Sequence, residues 1–206
     1  MITPLSLVLA ALLGSNAAPH RVPGIVGLAP GEATFEEVST TFAGRRLEDG
    51  DLERTGQESE QRIRLCFISE NPNDKTVLVF ESGVEGGWRL VTDYVRGERL
   101  PDEVSRDRCR ASKLVGRRLA TSNGLRLGLS KSDAMRRIPA IPAKRSASEV
   151  VYRLDYSRTP TPEEARAIQG AFGDHPGLLV SGYSRIELWF RRDRLVKIRV
   201  ARSETL

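Results

Sequence analysis

The chain is poor in the side chains on which most metal, redox and nucleophilic chemistry depends. Its 206 residues include two cysteines, two histidines and two methionines, and only 6% are aromatic. His20 and His175 are the only imidazoles, and no CxxC or HExxH spacing accompanies them, so the sequence offers no ligand set for zinc. A cysteine nucleophile would need an activating base, and none is identified near Cys66 or Cys109. There is no GxGxxG or Walker loop. Gly182-Tyr183-Ser184-Arg185 breaks off the nucleophile-elbow pattern because Ile186 stands where the second glycine belongs. Asp49-Gly50-Asp51 lacks the ligand series of an EF-hand and reads as a solvated turn. These absences point away from an enzyme and from any cofactor or metal.

Long apolar runs are also missing. The longest, from Pro4 to Leu13, falls short of the roughly 20 residues that a membrane-spanning helix needs, so no stable membrane span is expected. It is followed by Ser15-Asn16-Ala17, small residues suited to cleavage. Residues 1–17 therefore read as a signal peptide, and the protein as periplasmic or secreted. Export changes the meaning of the two cysteines. In an oxidising compartment Cys66 and Cys109 are expected to form one disulfide, contributing roughly 4 kcal/mol by restricting the unfolded chain. The alternative is two reduced thiols, one of them buried.

Lys and Arg number 32 against 27 Asp and Glu, for a net charge of +5. The basic clusters, Arg117 to Leu119, Arg136-Arg137 and Arg191 to Arg194, are separated by acidic and apolar residues, and no nucleic-acid-binding module accompanies them. An acidic envelope protein or polymer, or an anionic lipid surface, suits this charge better than a nucleic acid.

The most informative positive feature is an internal echo. Gly27 to Val38 (GLAPGEATFEEV) returns as Gly124 to Met135 (GLRLGLSKSDAM), each time ahead of strand-like sequence. Gly27 and Gly31 align with Gly124 and Gly128 as tight turns. Thr34 with Glu37, and Ser130 with Asp133, form helix-start signals. Val38 and Phe42 then match Ala134 and Ile138 as apolar pairs one helical turn apart, expected to face a core. The reading is an α+β protein of two tandem helix-plus-antiparallel-sheet modules. Their limits are 18–95 and 118–206, joined by a linker at 96–117 that carries Cys109.

In the first module Ile63, Leu65 and Phe67 alternate toward one face and leave Cys66 on the other. Strands follow from Thr76 and from Arg89 to Tyr94, joined by a GVEGGW turn. In the second, Val150 to Tyr156 alternates. Thr161-Pro162-Glu163-Glu164 then starts a helix expected to run to about Phe172 before Gly173, so its two glutamates have a structural use. Ile186, Leu188 and Phe190 form the core side of a hairpin with Val196, Ile198 and Val200. The outward side carries Glu187, Trp189, Arg191, Leu195, Lys197 and Arg199. A tryptophan among cations on adjacent strands is a candidate anchor, making Trp189, Arg191, Lys197 and Arg199 the candidate binding residues. Cover by helices or by the other module would instead make Trp189 structural.

Together, GLAPGEATFEEVSTTF, GLRLGLSKSDAMRRI and the terminal IELWF and LVKIRV segments resemble the tandem-repeat beta-lactamase inhibitor protein fold. Taken singly, each module is similar in shape to small outer-membrane barrel-assembly lipoproteins. The resemblance spans about Gly24 to Tyr94 and Leu119 to Ala201, without the lipid-bearing cysteine of those lipoproteins. It implies helices over one sheet face and a second face free to meet a protein. The function expected is non-catalytic protein binding, with a structural envelope protein or an envelope hydrolase as alternatives.

Overall fold

A computed structural model describes residues 22–55, 62–82, 91–98, 104–138, 140, 142–173, 177 and 179–205. The expected signal peptide at 1–17 and the GVEGGW turn at 83–88 lie outside these residues. The fold is mixed α+β. Among the described residues three helices, α1 (Phe35–Ala43), α2 (Lys131–Arg136) and α3 (Pro162–Phe172), accompany nine strands. The strands are β1 (Glu53–Thr55), β2 (Arg62–Ser69), β3 (Val77–Ser82), β4 (Asp93–Gly97), β5 (Arg110–Ser112), β6 (Lys144–Arg145), β7 (Glu149–Arg158), β8 (Val180–Arg191) and β9 (Arg194–Thr205). They form one sheet in the order β1-β2-β3-β4-β9-β8-β7-β6, antiparallel throughout, with β5 added in parallel to β2.

Local chemistry sets the helix starts. The Thr34 hydroxyl accepts from the Glu37 N–H at 3.2 Å while the Glu37 carboxylate accepts from the Thr34 N–H at 2.8 Å. Two backbone donors that the first turn leaves without helical partners are thereby satisfied. Ser130 accepts from the Asp133 N–H at 3.1 Å, and Thr161 with Glu164 closes a third cap behind Pro162. Helix α3 ends at Phe172 before Gly173, as its sequence predicts.

Gly27, Gly31, Gly124 and Gly128 have φ values of 83°, 79°, 80° and 86°, a left-handed conformation that glycine adopts without steric cost. Each turn is tied to the later sheet through one residue. Gly31 N–H donates to Val91 O at 2.7 Å and Val91 N–H to Ala33 O at 2.8 Å. Gly128 N–H donates to Leu195 O and Leu195 N–H to Leu129 O, both at 2.8 Å.

The helices cover one face of the sheet. Phe35, Val38 and Phe42 from α1, and Ala134 with Ile138 at α2, join Leu65, Phe67, Phe80, Leu188 and Val200 in a single buried cluster. Phe42 sits 5.3 Å from Phe67 and 5.5 Å from Phe80 between ring centroids, distances at which offset aromatic contacts are favourable. The cluster runs across the β4–β9 seam, where Asp93 to Gly97 pair with Ala201 to Lys197.

Three details differ from the sequence reading. The strand expected at Arg89 to Tyr94 begins at Asp93 and continues to Gly97, so the boundary at 95/96 falls inside β4. Arg96, read as part of a polar linker, is fully buried. Its Nη2 donates to Gly116 O at 2.6 Å and Arg117 O at 3.0 Å, and burial lowers its pKa to about 10. The connector is accordingly built into the domain, and its β5 lies in register with Phe67 to Ser69. Finally, Leu195 faces the core. An irregularity between Trp189 and Phe190 shifts the register so that Phe190 pairs with Leu195, leaving Val196 half-buried.

Candidate functional site

The face opposite the helices can be followed as rows of directly paired side chains. One row runs Cys66, Val79, Val95, Arg199, Glu187, Val151, Lys144. The next runs Ile68, Val77, Gly97, Lys197, Trp189, Glu149. On β2 and β3 this face is closed. The Cys66–Cys109 disulfide, with Cα atoms 4.6 Å apart, holds the connector against it. Val104 then completes a small buried cluster with Cys66, Val77 and Val79.

On β7, β8 and β9 the same face is largely charged, with Val151 and Glu187 buried and the positions toward the β8–β9 turn accessible. Trp189 is half-buried, and the Lys197 ammonium lies 4.5 Å from its ring centroid, a cation–π geometry. Glu149 flanks the indole on the other strand and is held by Lys144 Nζ at 2.6 Å. Arg191 is exposed at the end of β8. Trp189, Arg191 and Lys197 thus share one accessible end of the face.

Arg199 behaves differently. Its Nη2 donates to Asp93 Oδ2 at 2.5 Å and stands 4.0 Å from Glu81 Oε2. Glu81 and Asp93 are direct cross-strand neighbours, both buried, and Arg64 Nε donates to Glu81 Oε1 at 2.5 Å from the far side. Burial, reinforced by the adjacent Glu81 charge, pushes the Asp93 carboxyl up to about 7 even though Arg199 favours its ionised form. Arg199 is therefore committed to an internal pair at the seam and stands apart from the exposed trio. Sequence reasoning missed the Glu81–Asp93 pair, because alternation assigns each residue a face without assigning its neighbour on the next strand.

At the far ends of β7, β8 and β9 lies a shallow cleft of about 540 Å³, lined by Arg153, Asp155, Ser157, Ser181, Tyr183 and Ser203 among others. The Arg153 guanidinium lies 4.7 Å from the Tyr183 ring centroid and its Nε donates to Asp155 at 2.9 Å, so the cations and anions here largely compensate each other. Beneath it, on the helix face, Arg158 bridges Glu164 on α3 to Glu204 on β9, with bonds of 2.6 to 2.7 Å. The Arg158 hydrogen bonds hold the Glu164 carboxyl down at about 2. Glu204 is also held at about 2, where burial opposes the shift and bonds from Arg158, Tyr156 and Arg202 overcome it.

Among the described residues no group of three or more His, Cys, Asp or Glu could hold a metal ion, and no helix is long and apolar enough to cross a membrane. No family model, curated protein or solved structure matches the chain.

Proposed function

We propose that the chain is a non-catalytic binding module of the envelope, periplasmic or secreted, that docks an acidic protein surface. The docking surface is the open sheet face around Trp189, Arg191 and Lys197, with Arg199 at its inner edge. The observation that carries this reading is the unequal treatment of one sheet face: closed over Cys66, Val77 and Val79 on β2 and β3, cationic and accessible around a half-buried indole on β8 and β9. A rigid aromatic flanked by cations provides an apolar contact that can be desolvated, while the charges favour encounter with an acidic partner. The matched glycine turns and capped helices support an origin as two tandem helix-plus-sheet units of the inhibitor-like kind, merged here into one sheet. The disulfide suits an oxidising compartment.

The test is photo-crosslinking in the native envelope, with a benzophenone side chain placed at Lys197 and, as comparison, at exposed Arg166 on α3. The reading expects one acidic protein from position 197, little from position 166, and affinity for that partner at least about tenfold weaker in a folded Trp189→Ala variant. Equal crosslinking from both positions would favour a structural envelope role. Unchanged affinity of the Trp189→Ala variant would remove the site.

A further inference from the structure

The end of the sheet carrying the β8–β9 turn holds more positive charge than the protein's net +5. Three segments meet there, 126–137, 144–149 and 189–197, with ten Lys and Arg against three Asp and Glu, so the rest of the chain is slightly acidic. They are joined by short contacts. Lys131 N–H donates to Asp193 O at 3.2 Å, Lys131 Nζ donates to Ala147 O at 3.3 Å, and Phe190 N–H donates to Ser148 O at 2.8 Å. Arg126, Arg137, Arg145, Arg191, Arg192 and Arg194 are exposed there, and no ion pair neutralises them among the described residues.

The turn itself is costly. Arg192 and Asp193 adopt φ values of 48° and 60°, where a hairpin of this kind favours Asn and Gly, so the chain accepts backbone strain to hold an arginine at the tip. The arginines come from the helix side, the open side and the turn, and so surround the end of the sheet instead of lining a channel. The cleft lies at the opposite ends of β7 to β9. A layer of positive charge of this shape complements a planar anionic surface better than a linear polymer. Among the described residues the exposed large apolar side chains, Val26, Leu114 and Leu179, lie outside these segments, so contact would be electrostatic and without insertion.

We infer that this arginine-rich end docks the protein peripherally on the phosphate headgroups of an anionic lipid bilayer. The guanidinium fork suits phosphate oxygens, and each cation near such a surface adds a small increment of attraction. The inference does not depend on the protein-binding reading of Trp189.

Vesicle sedimentation tests it, comparing pure phosphatidylcholine with phosphatidylcholine containing about one third phosphatidylglycerol. Binding is expected to the anionic vesicles alone and to disappear at about 0.5 M salt, where the screening length is only a few ångströms. Replacing Arg191, Arg192 and Arg194 together by Gln should weaken it roughly 100-fold, and Arg126→Gln with Arg145→Gln roughly 20-fold. Arg153→Gln with Arg185→Gln, which removes two charges near the cleft as the Arg126 and Arg145 pair does at the turn end, should change it less than about twofold. Equal loss in that control, or full binding by both tip variants, would overturn the proposal. So would binding of soluble inorganic polyphosphate with none to anionic vesicles, which would point to a polymer. Trp189→Ala should leave vesicle binding intact, so failure here and failure of the protein-binding reading are distinguishable.

Discussion

The sheet face opposite the helices runs over β2 and β3 and over β7, β8 and β9 in one hydrogen-bonded lattice, yet its two halves meet different fates. On the first, a disulfide and a folded-back connector bury Cys66, Val77 and Val79. On the second, the same rows carry Arg199, Glu187, Val151 and Lys144, and Lys197, Trp189 and Glu149, so that one buried valine and the half-buried indole stand among charged neighbours. The difference lies in the outward-facing positions of each strand. Cys66, Val77 and Val79 on β2 and β3 lie under a lid, whereas the mainly charged positions at the Trp189 end of β8 and β9 remain soluble without one. Accessibility of the second half is therefore written into its sequence, and the lid is local to the first.

The largest effects should come from the face that both halves share. Phe42→Ala and Ile138→Ala each empty a buried site beneath the sheet and should cost about 2 to 5 kcal/mol by equilibrium unfolding, in a single cooperative transition. A near-wild-type midpoint for either would mean that its half does not depend on the common core. Next comes the lid. Changing Cys66 and Cys109 to alanine should cost roughly 4 kcal/mol, and hydrogen exchange should rise at 77–79 and 110–112 while β8 and β9 keep their protection. Increased exchange spread evenly over the sheet would break the distinction between the halves.

A smaller effect separates the two ionic clusters by the sign of their pH response. Asp93 has its carboxyl raised from an ordinary 3.8 to about 7, so its contribution to stability is fully present below about pH 4 and is lost as pH rises through 7. Glu164 and Glu204 are lowered from 4.5 to about 2, so theirs is present above pH 4.5 and is lost as pH falls toward 2. Unfolding measured against pH should lose its decline between 4 and 7 in Asp93→Asn. In Glu164→Gln the loss below pH 4.5 should become shallower. An unchanged profile in Asp93→Asn would show that the seam pair holds no extra proton.

Signals confined to a few residues were legible in the sequence. Thr34 with Glu37, Ser130 with Asp133, and Thr161-Pro162-Glu164 each name a helix start that the structure reproduces, because a cap is made by neighbours three residues apart. Alternation at Ile63 to Phe67 and Ile186 to Phe190 gave the core face correctly, and the disulfide was legible from two cysteines and the expectation of an oxidising compartment. What stayed hidden depends on distant pairing. The shift that turns Leu195 inward, the meeting of Glu81 with Asp93 and the engagement of Arg199 arise from register between strands. Arg96 was misread for a related reason, since its compensation is two connector carbonyls some twenty residues away. The candidate site was thus legible as a face and a tryptophan, but the division of its cations between exposed and committed was not.

The smallest perturbation gives the most direct test of the free face. With Trp88→Phe, Trp189 becomes the only indole of the chain, and its fluorescence can be quenched by iodide and by caesium. A half-exposed ring beneath Lys197 and near Arg191 should be quenched well by the anion and poorly by the cation, with the preference fading as salt screens the field. Emission shifted to the blue and resistant to iodide, caesium and neutral acrylamide alike would mean that Trp189 is covered, and would contradict the account.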